Sequence, residues 1–283
     1  MRIWLNDTLT DADDAAVSAL DHGLTVGDGV FEAVKTVEGV PFALTLHLER
    51  MRRSAAGLGL PAPDTDLVRR ACAAVIDAEP HPLGRLRITF TGGRGPLGSM
   101  RAAVPGAPTL VVAHEGYEAR PDTTAAVTVP WTRNERGALA GLKTTSYAEN
   151  VLALARAREA GASEAIFPNT AGLLCEGTGS NVFVVVGGDV LTPPLSSGCL
   201  AGITRALVVA WSGAREVDLP LGVLRDADEI FLTSTTRDVQ ALHRVDDREL
   251  SAAPGPVTTR LMREFAVRSG ADPDPRPVPV GGR

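Results

Sequence analysis

Short strand-like runs and amphipathic helical stretches alternate along the whole chain, and one polar, turn-forming segment, Glu115–Thr124 (EGYEARPDTT), divides them into two groups. A chain patterned this way must stack sheets against helices, and its 283 residues suffice for one large domain or two smaller ones. A boundary at that segment gives a smaller N-terminal α+β domain, residues 1–118, and a larger C-terminal α/β domain, residues 119–283. The pattern alone does not choose between α+β and α/β layering. In the first group, Arg2–Leu5 is a short apolar stretch and Gly29–Val40 alternates like a strand. Thr45–Leu58 and Asp66–Ala78 have helical spacing, and strands Arg85–Thr91 and Thr109–His114 flank a Gly- and Pro-rich loop, Gly92–Gly106. In the second group, strands are predicted at Ala125–Trp131, Glu164–Phe167, Asn181–Val186, Val190–Leu191 and Glu229–Thr233. Helices are predicted at Tyr147–Ala160, Ile203–Trp211 and Val257–Arg268. Gly187-Gly188-Asp189 reads as a hairpin turn, Trp131 and Trp211 as core, and Asp272–Arg283 as an extended end.

Charge and cysteine usage narrow the function classes. A net charge of −6 argues against a nucleic-acid binder, which needs a basic face. No apolar run reaches ~18 residues, so no membrane span is predicted. The start, MRIWLNDTLTDADD, lacks the layout of a signal peptide. Three cysteines without paired spacing point away from a disulfide framework or zinc site and toward a reducing cytoplasm. Cys175 reads as a small packing residue. The five histidines show no metal-ligand spacing, so no metal is expected.

Of the 28 lysines and arginines only Lys35 and Lys143 are lysines, leaving 26 arginines. Arginine stays protonated below about pH 12, so it cannot serve where a neutral amine is needed. Each lysine is therefore a candidate for amine chemistry, against the plainer reading of a coding bias. Lys143 precedes Ser146-x-x-Glu149, a capping-box pattern that predicts a helix starting just after Ser146 and stopping near Gly161. Two other segments stand out. Leu200-Ala201-Gly202-Ile203-Thr204-Arg205 leaves a Gly/Pro-rich loop and opens a helix, which is how phosphate sites are built, though a plain helix start reads the same. Glu176 leads through small polar residues into the apolar strand Val182–Val186, and a carboxylate there needs a partner unless it faces solvent.

These segments, in this order, together with Asp21-His22-Gly23-Leu24-Thr25-Val26-Gly27-Asp28-Gly29-Val30-Phe31-Glu32 and Thr233-Ser234-Thr235-Thr236-Arg237-Asp238-Val239, resemble the class IV aminotransferases. These are fold-type IV pyridoxal-phosphate enzymes: branched-chain aminotransferases, D-amino acid aminotransferases and aminodeoxychorismate lyases. The resemblance spans nearly the whole chain. It implies two domains with pyridoxal 5′-phosphate at their interface, the Schiff-base lysine in the larger one, and a homodimer. Lys143 matches the Schiff-base lysine and Glu176 the acid that meets the pyridine nitrogen. Arg50 matches the phosphate-binding arginine, and Gly202, Ile203 and Thr204, with Ser234 and Thr235, the rest of the phosphate cup. Tyr147 resembles the tyrosine near the cofactor's phenolic oxygen, and Ser180 and Asn181 shape the loop around the ring. Phe31, Lys35, Arg94, Thr235 and Thr236 are candidate substrate contacts. The implied substrate is a small amine bearing carboxylates.

The resemblance leaves the reaction open. D-amino acid aminotransferases have tyrosine where this chain has Phe31, and an Arg-x-His trap where it reads Thr91-Gly92-Gly93-Arg94-Gly95; both departures count against that specificity. Gly92-Gly93-Arg94-Gly95 resembles the loop of aminodeoxychorismate lyases, while Thr233-Ser234-Thr235-Thr236 looks more like an aminotransferase segment. The leading expectation is 4-amino-4-deoxychorismate lyase. The substrate's ring amine displaces Lys143, which then removes a proton. Pyruvate leaves, 4-aminobenzoate forms, and arginines such as Arg94 hold the two carboxylates. The alternative is a branched-chain or D-amino-acid aminotransferase. A cofactor carrier without turnover is a third class, disfavoured because the lysine, glutamate and phosphate residues are retained together.

Overall fold

A computed structural model describes residues 1–102 and 106–276; the rest of the predicted tail and part of the Gly92–Gly106 loop lie outside them. The chain forms two compact units: Met1–Ala119 with Leu142–Tyr147, and Arg120–Gly141 with Ala148–Arg283.

In the first unit, β1 (Arg2–Leu5), β2 (Thr8–Asp11), β3 (Gly29–Val37), β4 (Val40–Pro41), β5 (Leu83–Thr91) and β6 (Thr109–Gly116) make one antiparallel sheet in the order β2-β1-β6-β5-β3-β4. Beside the sheet lie α1 (His22–Thr25), α2 (Leu44–Gly57) and α3 (Thr65–Ala78). Strand parity decides what each face does. Val30, Val34, Leu86, Ile88, Phe90 and Val112 share a core with Leu48, Met51 and Ala55 of α2 and Val68, Ala71, Cys72 and Val75 of α3. The alternate positions Phe31, Ala33 and Lys35, paired with Thr89, Arg87 and Arg85, lie on the opposite face. The expected Gly29–Val40 strand is in fact a hairpin. Glu38 (φ 47°) and Gly39 (φ 77°) both turn left-handed, which reverses the chain into β4.

The resemblance implies Lys143 in the larger C-terminal unit, but Leu142–Tyr147 groups with the first unit. Leu142–Tyr147 returns to the first unit because its backbone extends the β3 edge. Phe31 N–H donates to Lys143 O at 3.0 Å, Thr145 N–H donates to Gly29 O at 2.8 Å, and Val30 bridges Thr144. Lys143 N–H donates to Ser54 Oγ of α2 at 3.1 Å. Leu142 lies against Gly57, where a Cβ would stand 2.6 Å from Leu142 Cδ2.

The second unit holds β7 (Thr123–Thr128), β8 (Glu164–Pro168), β9 (Leu174–Gly177), β10 (Asn181–Val186), β11 (Asp189–Thr192), β12 (Arg215–Glu216), β13 (Glu229–Ser234), β14 (Asp238–Val245) and β15 (Arg248–Glu249). Their order is β12-β11-β10-β13-β14-β7-β8-β9, with β15 beside β14; β7 runs parallel to both β8 and β14. Its helices are α4 (Ala148–Glu159), α5 (Ile203–Ser212), α6 (Val223–Asp226) and α7 (Pro256–Ala271). Both faces are covered, as the apolar strands require. Ala125, Val127 and Phe167 meet Ala153 and Ala157 of α4. On the other side Ala126, Val182, Val184, Ile230 and Leu232 pack with Leu219 and Leu224. The Gly187-Gly188 turn joins β10 to β11 with both glycines at positive φ.

The predicted capping box does not form. Ser146 Oγ donates to Gly27 O at 3.3 Å, and Glu149 instead accepts from Arg133 at 2.6 Å, so α4 starts at Ala148. Trp131 is not core: β7 ends at Thr128, and the ring beyond it is 40% exposed. Among the described residues no helix is long and apolar enough to cross a membrane, and no His/Cys/Asp/Glu group could hold a metal ion.

Candidate active site

On the open face of the first sheet, β3 buries the Phe31 ring, and three groups surround it. The Arg87 guanidinium lies 3.5 Å from the ring centroid, the Lys143 ammonium 4.1 Å from it, and the Tyr147 ring 5.0 Å away, edge-on. Cations over an aromatic face are favourable by about 0.5–2 kcal/mol, so the ring holds the lysine and the arginine as neighbours. Burial depresses the affinity of Arg87 for its proton, and the adjacent Arg85 adds to this; Tyr147 and Glu32 oppose it. A guanidinium in that setting gains by meeting an anion. Lys35 is buried on the same face, with its ammonium 5.2 Å from the Phe42 ring. Arg94 is exposed, its backbone bridged to Asp21; Arg87, not Arg94, is the guanidinium stacked on Phe31.

Arg50 works from the opposite face. Its Nε donates to Glu32 Oε1 at 2.8 Å and its Nη2 to Glu32 Oε2 at 2.6 Å, while His47 Nδ1 lies 2.7 Å from the same Oε2. Glu32 is fully buried. Burial works to raise its carboxyl, but the charge and hydrogen bonds of Arg50 and His47 outweigh that and hold it at about 2. His47 is pushed below its ordinary 6.5 by burial and by the charges of Arg50 and Lys143, against the pull of Glu32. With Glu32 ionised, this contact has His47 Nδ1–H donating. This bidentate pair fixes the rotamer of Arg50.

In the second unit, a second set of candidates gathers where β10 begins and β13 ends. Glu176 on β9 accepts from Arg133 Nε at 3.1 Å and from Leu200 N–H at 2.8 Å. Asn181 Nδ2 donates to Leu200 O at 2.9 Å, and Asn181 pairs with Thr233 across the sheet. Ser180 Oγ does not face outward; it donates to the buried Glu164 at 2.8 Å, which also takes Thr178 N–H at 3.0 Å. That carboxylate therefore braces the Gly177–Ser180 loop. Ser234 ends β13, Thr235 and Thr236 lie in the turn to β14, and all three are half-buried.

The start of α5 has the form of an anion cradle. No side chain caps it, and the first helical hydrogen bond runs from Ala206 N–H to Gly202 O. The N–H groups of Ile203, Thr204 and Arg205 precede that bond. Gly202 is required by close approach, since a Cβ there would lie 2.0 Å from Asn181 Oδ1. Backbone donors at a helix N-terminus and the Thr204 hydroxyl are the donor set of a phosphate dianion.

Residues 29–245 fit the amino-transferase class IV family. The chain belongs to the class IV aminotransferases. It is 33% identical to the "Putative branched-chain-amino-acid aminotransferase" of Methanocaldococcus jannaschii, covering 94% of this chain and 95% of that protein. It is 30% identical to the D-alanine aminotransferase of Bacillus licheniformis, covering 93% and 95%. A hypothetical aminotransferase from Mycobacterium tuberculosis, solved in a form with bound pyridoxal phosphate, superposes with a TM-score of 0.84 at 27% identity, over 95% of this chain and 100% of that one. This class IV aminotransferase is a pyridoxal-phosphate-dependent enzyme of fold type IV, and the uncapped α5 start fits the phosphate of that cofactor.

Two residues that the structure brings to these candidates are not singled out by the sequence: Arg87 and Arg133. Among 26 arginines neither is conspicuous. The parity of Arg87 with Ala33 and Lys35 was the one available signal, and it requires the β3–β5 register.

Proposed function

We propose that this chain is an amino-acid aminotransferase acting on branched-chain L-amino acids and 2-oxo acids. Lys143 carries the cofactor, Glu176 meets its ring nitrogen, and Ile203, Thr204, Thr235 and Arg50 hold its phosphate. The observation that carries this reading is the Phe31 ring with the Lys143 amine and the Arg87 guanidinium both against it. The cofactor, when bound, supplies an aldehyde to accept the amino group and a ring that withdraws electrons. Lys143 Nζ takes the proton from the α-carbon of the amino acid and would pass it to the cofactor carbon that was the aldehyde, so that the amino group stays behind when the 2-oxo acid leaves. Arg87, with Lys35 on the same face, binds the carboxylate and so orients that C–H toward Nζ. The Phe31 and Tyr147 rings give the site an apolar wall suited to a branched side chain.

The lyase reading rested on Gly92–Gly95, whose arginine is exposed, and the relatives reported above are aminotransferases by name. Phe31 and the Thr91–Gly95 stretch weigh against the D-amino acid preference. One experiment separates all three. Purified protein receives 4-amino-4-deoxychorismate alone, then L-leucine, L-isoleucine or L-valine with 2-oxoglutarate, then D-alanine with 2-oxoglutarate. Turnover is expected with the branched L-amino acids; release of pyruvate and 4-aminobenzoate, or turnover of D-alanine only, would refute the assignment. The homodimer implied by the resemblance is tested by sedimentation velocity.

Replacing Arg87 by leucine removes a charged hydrogen-bond donor worth about 1.5–3 kcal/mol. KM for 2-oxo acids should rise about ten- to a hundredfold, with a smaller change in kcat. Steady-state kinetics showing an unchanged KM would remove Arg87 from the carboxylate site.

A further inference from the structure

We propose that Arg133 is a positioning residue for Glu176, the carboxylate that would meet the cofactor's ring nitrogen. This rests on the reading of Glu176 as the partner of that nitrogen. Arg133 is itself firmly held. Its backbone N–H donates to Pro168 O at 2.8 Å, it bridges Asn169, and its guanidinium lies 4.0 Å from the centroid of the buried Phe167 ring. Each guanidinium nitrogen serves a different acceptor: Nε donates to Glu176, Nη1 to Glu149 and Nη2 to Asn150. Asn150 is buried, and the side chains of Arg133 and Glu176 are only 16% and 14% exposed.

Leu200 N–H donates to one oxygen of Glu176 and Arg133 Nε to the other, so the two donors together oppose rotation about the Cγ–Cδ bond. Glu149, 49% exposed, shares the same guanidinium and offsets its charge, so what Arg133 supplies to Glu176 is position rather than charge.

The test compares the affinity of the apoprotein for pyridoxal 5′-phosphate with its affinity for the 1-deaza analogue, in which carbon replaces the ring nitrogen. Binding is followed by absorbance and protein fluorescence. Arg133→Met should weaken the natural cofactor about tenfold or more, the loss expected for one charged hydrogen bond. It should leave the deaza analogue within about threefold of the unmodified protein, under half that free energy. Arg133→Lys keeps the charge but cannot reach three acceptors and should fall between; it also serves if the methionine variant does not fold. Glu176→Gln should show the same selectivity. Equal weakening of both ligands by the Arg133 variants would mean a merely structural role and overturn the proposal. Selective loss in Glu176→Gln but not in the Arg133 variants would overturn it while leaving the Glu176 reading intact. No selectivity in Glu176→Gln would remove that reading and the proposal with it.

Discussion

Lys143→Ala should yield a folded protein that stays colourless with pyridoxal phosphate and loses turnover by at least about 10²–10⁴-fold, the range for removing one positioned general base. The loss of the covalent link adds to that. Lys143→Arg should fail as completely, because a guanidinium stays protonated at any working pH. Stability should change little. The lysine is half-buried, its ammonium rests on Phe31, and the segment is held by backbone hydrogen bonds that the substitution leaves in place. Borohydride reduction of the loaded parent protein followed by peptide mass spectrometry should place the adduct at position 143. Lys35→Ala should keep the colour. A coloured, reducible Lys143→Ala protein would defeat the assignment.

Glu32→Gln should cause the largest loss of stability. The carboxylate is fully buried and accepts from His47 and twice from Arg50. Neutralising it strands a guanidinium in the interior, which costs about 3–5 kcal/mol. That is a large fraction of the roughly 5–15 kcal/mol that keeps a domain folded. The same pair predicts an acid limit. Glu32 titrates near 2 when folded against 4.5 for its ordinary value. Its contribution is therefore complete above 4.5 and is lost as pH falls through 2, amounting to about 3 kcal/mol at 1.36 kcal/mol per pH unit. His47, lowered by burial, acts in the same sense and begins to cost stability below 6.5. Urea unfolding from pH 7 downward should show falling stability in the parent and a flatter profile in Glu32→Gln. Equal slopes in the two proteins would show that the pair does not carry the acid sensitivity.

Much of the fold was legible because strong periodicity survives in the elements that fill the cores. β3, β5, β10, α2 and α3 announce themselves through alternation or helical spacing. β9 and β14 do not. Leu174–Gly177 is too short to alternate, and Asp238–Val245 mixes Gln240, His243 and Arg244 with apolar residues around a bulge between Leu242 and Arg244. Candidates for the site were legible where chemistry restricts residue type. A lysine in a chain that otherwise uses arginine and a glycine opening a helix can be read directly. The partners of those residues could not be, because they depend on register and long-range return. Ser146 and Glu149 have the spacing of a capping box, yet Gly27 and Arg133 compete for them successfully.

The path of the chain carries a practical lesson for dissecting this enzyme. The polypeptide passes from one unit to the other at positions 119, 141 and 147, so the amine-bearing hexapeptide is lent by the C-terminal half of the gene to the N-terminal fold. A fragment ending at residue 119 would leave Gly29, Val30 and Phe31 without the backbone partners that this return supplies. Truncation at the apparent border would give neither half a complete set of hydrogen bonds. Circular permutants that open elsewhere, with residues 120–147 kept continuous, are the versions to build.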